Sequence, residues 1–314
     1  MRAERPRLIV SAGDPAGIGP EVTVKALARP EVRALADLAV AGDPDQLRAT
    51  AGRLGLPPPE RVEAAGDARS VRPGRLSAEG GAAAVAAVRR AVELVRAGAY
   101  DGLVTAPINK EAMRLAGFPW PGHTELLAEL AGAADVRMLL VTDALRVVHV
   151  TTHRSLRSAI EAATRDRVLR TIELGAEGAR RLGLERPRVA VAGINPHAGE
   201  GGLFGDEEAR EIAPAVEAAR AAGIDVSGPW PPDTLFWRAA RGDFDLVVAM
   251  YHDQGHIPVK LGGFDEGVNV TLGLPFPRAS VDHGTAFDIA GKGIARWASM
   301  AAAIAVAARL ARTR

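Results

Sequence analysis

The segment LVVAMYHDQGHIPVKLGGFDEGVNVTLGLPFPRASVDHGTAFDIAGK (Leu246–Lys292) indicates an α/β protein with a functional site at the end of a strand. An apolar run, Leu246 to Met250, leads into a glycine-rich polar stretch that holds three of the seven histidines and two of the four lysines. A buried strand followed by such a stretch is typical of a ligand-binding loop in an α/β protein. We therefore expect residues 250–292 to form a loop region that carries a functional site.

The same pattern occurs twice earlier in the chain. An apolar run at residues 146–151 leads to His153, and another at residues 188–194 leads to His197. Helical periodicity lies between these runs, and alternating strands and helices predict a mostly parallel α/β sheet. Because parallel strands end at one edge of a sheet, we expect His153, His197 and His252 to converge there.

Three converging imidazoles predict a metal site. Three nitrogen ligands and one open position are typical of a catalytic site, and nitrogen favours Zn²⁺, Co²⁺ or Ni²⁺ over Mg²⁺. Asp253 and Asp233 are candidates for carboxylates that fix the imidazole tautomers. Each histidine taken singly can also be a structural or surface residue. Lewis-acid dehydrogenation and metal-assisted hydrolysis both remain open at this point.

Three other segments fit binding loops. GDPAGIGPE (Gly13–Glu21) follows the first expected strand, and N–H groups at the start of the next helix suit an anion, with a plain tight turn as the alternative. Its glycines do not have the G-x-G-x-x-G spacing. TAPINK (Thr105–Lys110) follows another strand. Thr124 is expected to cap a helix over residues 125–131, with His123 beside it.

Lys260, Asn269 and Arg278 follow one another at nine-residue intervals. A lysine and an arginine together can hold a phosphate or carboxylate, and solvated surface charge is the alternative for each. Of the 39 residues that are lysine or arginine, four are lysines. Because lysine is rare in this chain, each lysine is a candidate for specific chemistry.

Composition limits the class of protein. The chain has 314 residues, is 47% hydrophobic and has a net charge of +1, which allows two lobes and argues against a nucleic-acid or membrane-surface protein. It has no cysteine, which excludes disulfides and thiolate sites. No apolar run is long enough for a membrane span, and the N-terminus lacks a signal-peptide core. We expect a cytoplasmic protein.

Eight motifs together resemble the 4-hydroxythreonine-4-phosphate dehydrogenase (PdxA) family over nearly the whole chain. They are SAGDPAGIGPE, TAPINK, GHTE, TTH, INPHAGEGG, PPDTLF, AMYHDQG and LPFPRASVDHGTAFDIAGKG. The first and last also resemble isocitrate- and isopropylmalate-type dehydrogenases. The resemblance implies two α/β/α lobes with mostly parallel sheets and a cleft between them. The first lobe would comprise residues 1–122 and 279–314 on the cofactor side, and the second residues 123–278 with the metal, substrate and dimer contacts.

The resemblance also implies roles for individual residues. The metal ligands would be His153, His197 and His252, shared across the interface of a homodimer. The substrate contacts would be His123, Thr124, Lys260, Asn269 and Arg278, with Lys260 and Asp253 as catalytic groups. By analogy with the wider fold, the nicotinamide dinucleotide would bind His283, Gly284, Thr285 and Asp288.

The implied activity is an oxidation that depends on NAD or NADP and on a divalent metal such as Zn²⁺, Co²⁺ or Mg²⁺. The C3 hydroxyl of 4-phosphooxy-L-threonine would become the ketone of 2-amino-3-oxo-4-phosphooxybutanoate, which decarboxylates to 3-amino-2-oxopropyl phosphate in pyridoxal 5'-phosphate biosynthesis. A sister dehydrogenase of 4-phospho-D-threonate or 4-phospho-D-erythronate is the alternative. A zinc hydrolase and a non-catalytic metabolite-binding module are further alternatives, and no nucleic-acid or membrane partner is expected.

Overall fold

The computed structural model describes residues 5–263 and 267–312. The chain divides into two compact units, one made of residues 5–136 with Leu274–Arg312 and the other of Arg137–Gly273. The first unit is discontinuous because the chain completes the second unit before it returns to the first. Within the described ranges, no helix has the length and apolar character needed to cross a lipid bilayer.

The first unit is a parallel sheet with helices. Its strands are β1 (Arg7–Ser11), β2 (Asp37–Gly42), β3 (Val62–Ala64), β4 (Gly102–Thr105) and β11 (Arg278–Val281). Its helices are α1 (Gly19–Leu27), α2 (Pro30–Arg33), α3 (Pro44–Leu54), α4 (Ala78–Arg96), α5 (Lys110–Leu115), α6 (His123–Ala131) and α12 (Ala298–Arg312). The spatial order is β3-β2-β1-β4-β11, and every neighbouring pair is parallel.

Burial explains the apolar sequences of this unit. The interior strand β4 is buried along its whole length, as expected for a parallel strand covered on both faces. Helices α4 and α6 contribute Val88 and Leu126 to one core with Leu103 of β4. Helix α4 begins where the Ser77 Oγ accepts a hydrogen bond from the Gly80 N–H (3.1 Å), which satisfies one of the free N–H groups of its first turn.

The second unit has a mixed sheet. Its strands are β5 (Arg137–Val141), β6 (Arg146–His149), β7 (Val189–Ala192), β8 (Val226–Trp230), β9 (Leu246–Ala249) and β10 (Val268–Leu272). Its helices are α7 (Leu156–Ala162), α8 (Arg165–Arg181), α9 (Ala213–Ala221), α10 (Pro232–Ala240) and α11 (His252–Gly263). The order is β10-β5-β6-β9-β7-β8, with β5 antiparallel to both neighbours and the other pairs parallel. The predicted mostly parallel α/β class is confirmed.

The segment after β9 is not the loop expected from its composition. Residues His252–Gly263 form helix α11, and two strands follow it, while residues 264–266 lie outside the described residues. Gly255 does not break the helix. It is needed for close packing, because a Cβ at this position would overlap Nε2 of the His149 side chain. Gly255 therefore marks a close contact with the His149 side chain and not a turn.

Candidate active site

Three strand ends in the second unit bring histidine-bearing segments to one edge of its sheet. Strands β6, β9 and β7 are consecutive and parallel. His153, His252 and His197 follow these strands by no more than five residues. The segments therefore leave the same edge of the sheet, as the strand–helix alternation predicted.

Two of the three histidines form a pair. The ring centres of His153 and His252 are 5.6 Å apart, and both side chains line a cavity of about 310 Å³ with Thr151, Tyr251 and Asp253. The His252 Nδ1–H donates to Oδ1 of Asp253 (2.7 Å). This contact leaves the lone pair of His252 on Nε2, which is the arrangement of a metal-binding imidazole held by a carboxylate.

His197 lies apart from this pair. Its ring centre is 6.2 Å from that of Phe204. Among residues 5–263 and 267–312, no three His, Asp or Glu side chains lie close enough together to hold a metal ion. Oδ1 of Asp233, the other carboxylate considered, accepts from the Thr234 N–H (3.0 Å). One copy of the chain thus offers two imidazoles that suit Zn²⁺ or Co²⁺, and such a site needs a further ligand.

The backbone that presents His197 is strained. Six consecutive residues, His197 to Gly202, have positive φ angles, and three of them are not glycine. A left-handed conformation costs about 1–2 kcal/mol for each L-residue. His153 also has a positive φ of 49°. Strain of this kind persists where the surroundings hold it, and it is concentrated at functional sites.

Two further histidines in this region were not identified from the sequence. His149 and His256 are buried, and the His256 Nδ1 lies 3.1 Å from the His149 Nε2. Burial lowers the pKa of His149 to about 3 and the pKa of His256 to about 4. Both rings are therefore neutral at pH 7. The signal for His256 was its spacing of four residues after His252, which places both on one side of a helix once residues 252–263 are recognised as helical.

In the first unit, His123 and Arg278 lie close enough to interact electrostatically. The Arg278 Nη2 donates to Oγ1 of Thr105 (2.6 Å). Burial lowers the pKa of Arg278 to about 9, so the guanidinium remains protonated at pH 7. Burial, and secondly the charge of Arg278, lower the pKa of His123 well below its usual value, and its Nε2 is buried without a hydrogen-bond partner in the described part of the chain.

The remaining expected substrate residues are distributed over both units. Helix α6 begins at His123 with Gly122 in the N-cap position, so the expectation that Thr124 caps it was wrong. Thr124 instead lies within the first turn, because the helix starts two residues earlier than its apolar pattern indicated. Lys260 is exposed on α11, and its charge acts on His256. Asn269 lies in β10, opposite Leu140 of β5.

The expected dinucleotide loop packs on the glycine turn near the N-terminus. The Ile18 N–H donates to the Thr285 backbone oxygen (2.9 Å), and a Cβ on Gly17 would lie 2.8 Å from Cβ of Thr285. Within the described residues, Nε2 of His283 and Oδ2 of Asp14 are buried polar atoms without hydrogen-bond partners. Such atoms fit a polar ligand that this loop and turn would share. Gly284 and Asp288 are exposed.

A buried ion pair fixes the segment that follows this loop. The Lys25 Nζ donates to Oε1 of Glu21 (2.7 Å) and to the backbone oxygens of Gly293 and Ala295 (both 2.8 Å). The Glu21 carboxylate accepts from the N–H groups of Gly293 (3.2 Å) and Ala295 (2.8 Å). Helix α1 therefore holds the chain just after residues 283–288.

The chain matches the family model described as "Pyridoxal phosphate biosynthetic protein PdxA" over residues 24–307. The chain belongs to the PdxA family. This membership confirms the resemblance carried by the eight motifs and the oxidoreductase class that it implied. The fold alone is shared with a beta-decarboxylating dehydrogenase from Thermococcus kodakarensis, at a TM-score of 0.53 and 16% identity over 95% of this chain and 81% of that one.

Similar PdxA-family proteins have two different names. A 4-hydroxythreonine-4-phosphate dehydrogenase of Beijerinckia indica subsp. indica is 52% identical, over 96% of this chain and 94% of that protein. A D-threonate 4-phosphate dehydrogenase of Cupriavidus necator is 51% identical, over 98% of each chain. The crystal structure of 4-hydroxythreonine-4-phosphate dehydrogenase from Klebsiella pneumoniae has a TM-score of 0.89 at 47% identity, over 99% of this chain and 100% of that one.

Proposed function

We propose that this chain uses a nicotinamide dinucleotide and a divalent cation to oxidise the C3 hydroxyl of a four-carbon acid phosphorylated at C4. The observation that carries the proposal is the His153–His252 pair with Asp253 on Nδ1 of His252. The preferred substrate is 4-phosphooxy-L-threonine, in pyridoxal 5'-phosphate biosynthesis. A 4-phospho-D-threonate or 4-phospho-D-erythronate substrate is the second candidate, favoured by the relative from Cupriavidus necator.

The reaction removes two electrons from C3. The C3–H bond breaks, its electron pair and hydrogen pass as hydride to C4 of the nicotinamide ring, the hydroxyl proton leaves, and C3 becomes a ketone. The product is a β-keto acid, so the C1–C2 bond breaks next, CO₂ leaves, and C2 takes up a proton. When bound, a divalent cation lowers the pKa of the hydroxyl oxygen and makes the first proton easier to remove.

Residues of the second unit orient and deprotonate the hydroxyl in this proposal. Asp253 keeps the proton of His252 on Nδ1, so that Nε2 remains available as a ligand. Lys260 lies two helical turns further along α11 and either takes the hydroxyl proton or binds substrate oxygens. Asn269 of β10 is the proposed amide contact to the substrate.

Residues of the first unit bind the charged groups of the ligands in this proposal. The protonated guanidinium of Arg278 and the neutral imidazole of His123 suit a phosphate, because arginine can donate two parallel hydrogen bonds and the imidazole a third. Thr124 lies in the first turn of α6, and the N-terminus of a helix favours an anion. The loop of His283, Gly284, Thr285 and Asp288 is proposed to take the dinucleotide.

A homodimer would complete the metal site. Each histidine-bearing segment of the second unit also presents exposed apolar side chains, among them Leu156, Leu203, Phe204, Ile257 and Leu261. Leu203 is 72% and Leu261 85% exposed, and apolar groups this accessible are typical of a protein–protein contact when they are clustered. We infer that a second copy covers this surface and that His197 of the partner subunit joins His153 and His252.

An assay of dinucleotide reduction tests the reaction. The purified chain is stripped with a chelator, reloaded with Zn²⁺, Co²⁺ or Mg²⁺, and given NAD⁺ or NADP⁺ with either phosphorylated acid. We expect absorbance at 340 nm to rise only with metal, and faster with 4-phosphooxy-L-threonine. A faster rate with 4-phospho-D-threonate selects the second candidate. Binding of metal without any dinucleotide reduction or binding would instead favour a hydrolase.

Mixing two inactive variants tests the shared site. If His153 and His252 come from one chain and His197 from the other, a heterodimer of His153→Ala and His197→Ala chains keeps one intact site. Random reassociation then restores about a quarter of the wild-type activity, because half of the dimers are mixed and each has one good site. A mixture of His153→Ala and His252→Ala chains is the control and should stay inactive. Equal activity of the two mixtures would refute the shared arrangement.

A further inference from the structure

We propose that Glu208 is the positioning residue that holds His197 in its metal-binding conformation, an inference that rests on the proposed function. Glu208 is 5% exposed and begins a π-helical turn, Glu208–Ile212, that leads into α9. Turns of this kind are rare and are frequently found at functional sites. The carboxylate of Glu208 is turned towards the end of β7, where the chain enters the strained loop.

Hydrogen bonds attach this carboxylate to the start of the loop. Oε1 accepts from the backbone N–H groups of Ile194 and Asn195, each at 2.7 Å. Oε2 accepts from the side-chain Nδ2 of Asn195 (2.9 Å). Bonds to an ionised acceptor are stronger than neutral ones, particularly when they are buried. Glu208 thus fixes two residues, Ile194 and Asn195, that lie just before the run of positive φ angles from His197 to Gly202.

The loop also packs tightly around the same carboxylate. A Cβ on Gly199 would lie 2.8 Å from Oε2 of Glu208, and a Cβ on Gly193 would lie 3.1 Å from Oε1. The Ala198 N–H donates to the Asn195 oxygen (3.1 Å). The backbone on both sides of His197 is therefore held by contacts to Glu208 and to Asn195, which itself donates hydrogen bonds to Glu208.

Removing these bonds should free the strained residues. Without an anchor, His197 and Ala198 relax towards the right-handed region that L-residues prefer. The imidazole then points elsewhere, and part of the metal-binding free energy is spent on restoring the loop. The expected effect is a loss of metal affinity of about 10- to 100-fold, the range seen when groups that orient metal ligands are changed.

The test measures Co²⁺ binding to the metal-stripped full chain by calorimetry and by the visible absorption of bound Co²⁺. Glu208→Gln keeps the size of the side chain, but it cannot accept hydrogen bonds at both oxygens, and we expect at least about 10-fold weaker binding with an altered spectrum. The control is Glu207→Gln. Glu207 accepts a hydrogen bond from Nδ2 of Asn195 (2.7 Å), but the backbone N–H groups of Ile194 and Asn195 donate to Glu208. The Co²⁺ affinity of the Glu207→Gln chain should therefore stay within about threefold of wild type.

Two outcomes are distinguishable. If His197→Ala binds Co²⁺ as tightly as wild type, His197 is not a ligand and the proposed metal site fails. If His197→Ala weakens binding while Glu208→Gln and Glu208→Ala both bind like wild type, the positioning role of Glu208 is overturned. Should Glu208→Ala fail to fold, as judged by circular dichroism, the Gln variant and its spectrum decide alone.

Discussion

The imidazole of His256 stacks on that of His252 one helical turn earlier, with ring centres 3.6 Å and ring planes 14° apart. The His256 Nδ1 in turn lies against His149, whose own Nδ1 is 3.4 Å from the Met138 oxygen. A row of imidazoles therefore runs from the proposed metal pair into the core of the second unit. Neutral rings of His149 and His256 with their protons on Nδ1 satisfy these contacts, so the buried part of the row depends on these two histidines staying uncharged.

The first prediction concerns stability at acidic pH. Burial lowers the pKa of His149 to about 3, whereas an unfolded histidine has a pKa near 6.5. The unfolded state therefore binds more protons between these values, and the stabilisation present above pH 6.5 is lost as pH falls. His149 alone should remove about 2 kcal/mol of stability between pH 7 and pH 5. His149→Gln should flatten this part of the curve, measured by urea unfolding of the metal-free chain with tryptophan fluorescence.

His197→Gln is the matched control for this prediction, because His197 is exposed. The slope between pH 7 and pH 5 should flatten more in His149→Gln than in His197→Gln. A His149→Gln chain that loses stability as steeply as wild type would mean that His149 is protonated in the folded state.

The second prediction concerns substrate affinity. Arg278→Lys keeps a positive charge but removes the planar fork and the bond to Oγ1 of Thr105. We expect KM for the phosphorylated acid to rise about 10-fold or more, with a smaller change in kcat. Arg188→Lys, at an exposed ion pair with Asp245, is the control and should leave KM unchanged. An unchanged KM for Arg278→Lys would exclude Arg278 from phosphate binding.

The third prediction concerns the ion pair on helix α1. Lys25→Met leaves the buried carboxylate of Glu21 without its cation and removes two bonds to the backbone. Chain stability should fall by about 3 kcal/mol, and dinucleotide affinity should fall as well because the segment after residues 283–288 is released. Lys292→Met is the exposed control, expected within about 0.5 kcal/mol of wild type. Chemical unfolding and a dinucleotide titration measure the two effects, and stability equal to that of the control would contradict the assignment.

The fourth prediction compares two helical glycines. A Cβ on Gly81 of α4 would overlap the backbone oxygen of Ala112, so Gly81→Ala should destabilise the chain by roughly 1–3 kcal/mol or prevent folding. Gly52 of α3 has no atom within 4 Å of the position of a Cβ. Gly52→Ala should therefore stabilise the chain by about 0.5–1 kcal/mol, since alanine favours a helix interior. Thermal unfolding of both variants checks the pair, and equal shifts in melting temperature would disprove the close contact between Gly81 of α4 and Ala112 of α5.

Periodicity was sufficient for most of the secondary structure. The buried apolar run of β9 acts over a few residues, so its effect can be recognised without coordinates. The expectation failed at residues 252–263, which form a helix although they include Gly255 and Pro258. Gly255 faces His149, which is 106 residues earlier in the chain, and no local pattern reveals such a neighbour.

The α/β class, the family and the residue types of the site follow from the order of residues alone, because the alternation of strands and helices and the eight motifs are properties of that order. The folded structure was needed to establish which side chains meet. It paired His153 with His252, separated His197 from them, joined His149 to His256, and attached Lys25 to the chain near Gly293. These contacts depend on how distant segments pack, and packing is set by the whole fold and not by local spacing.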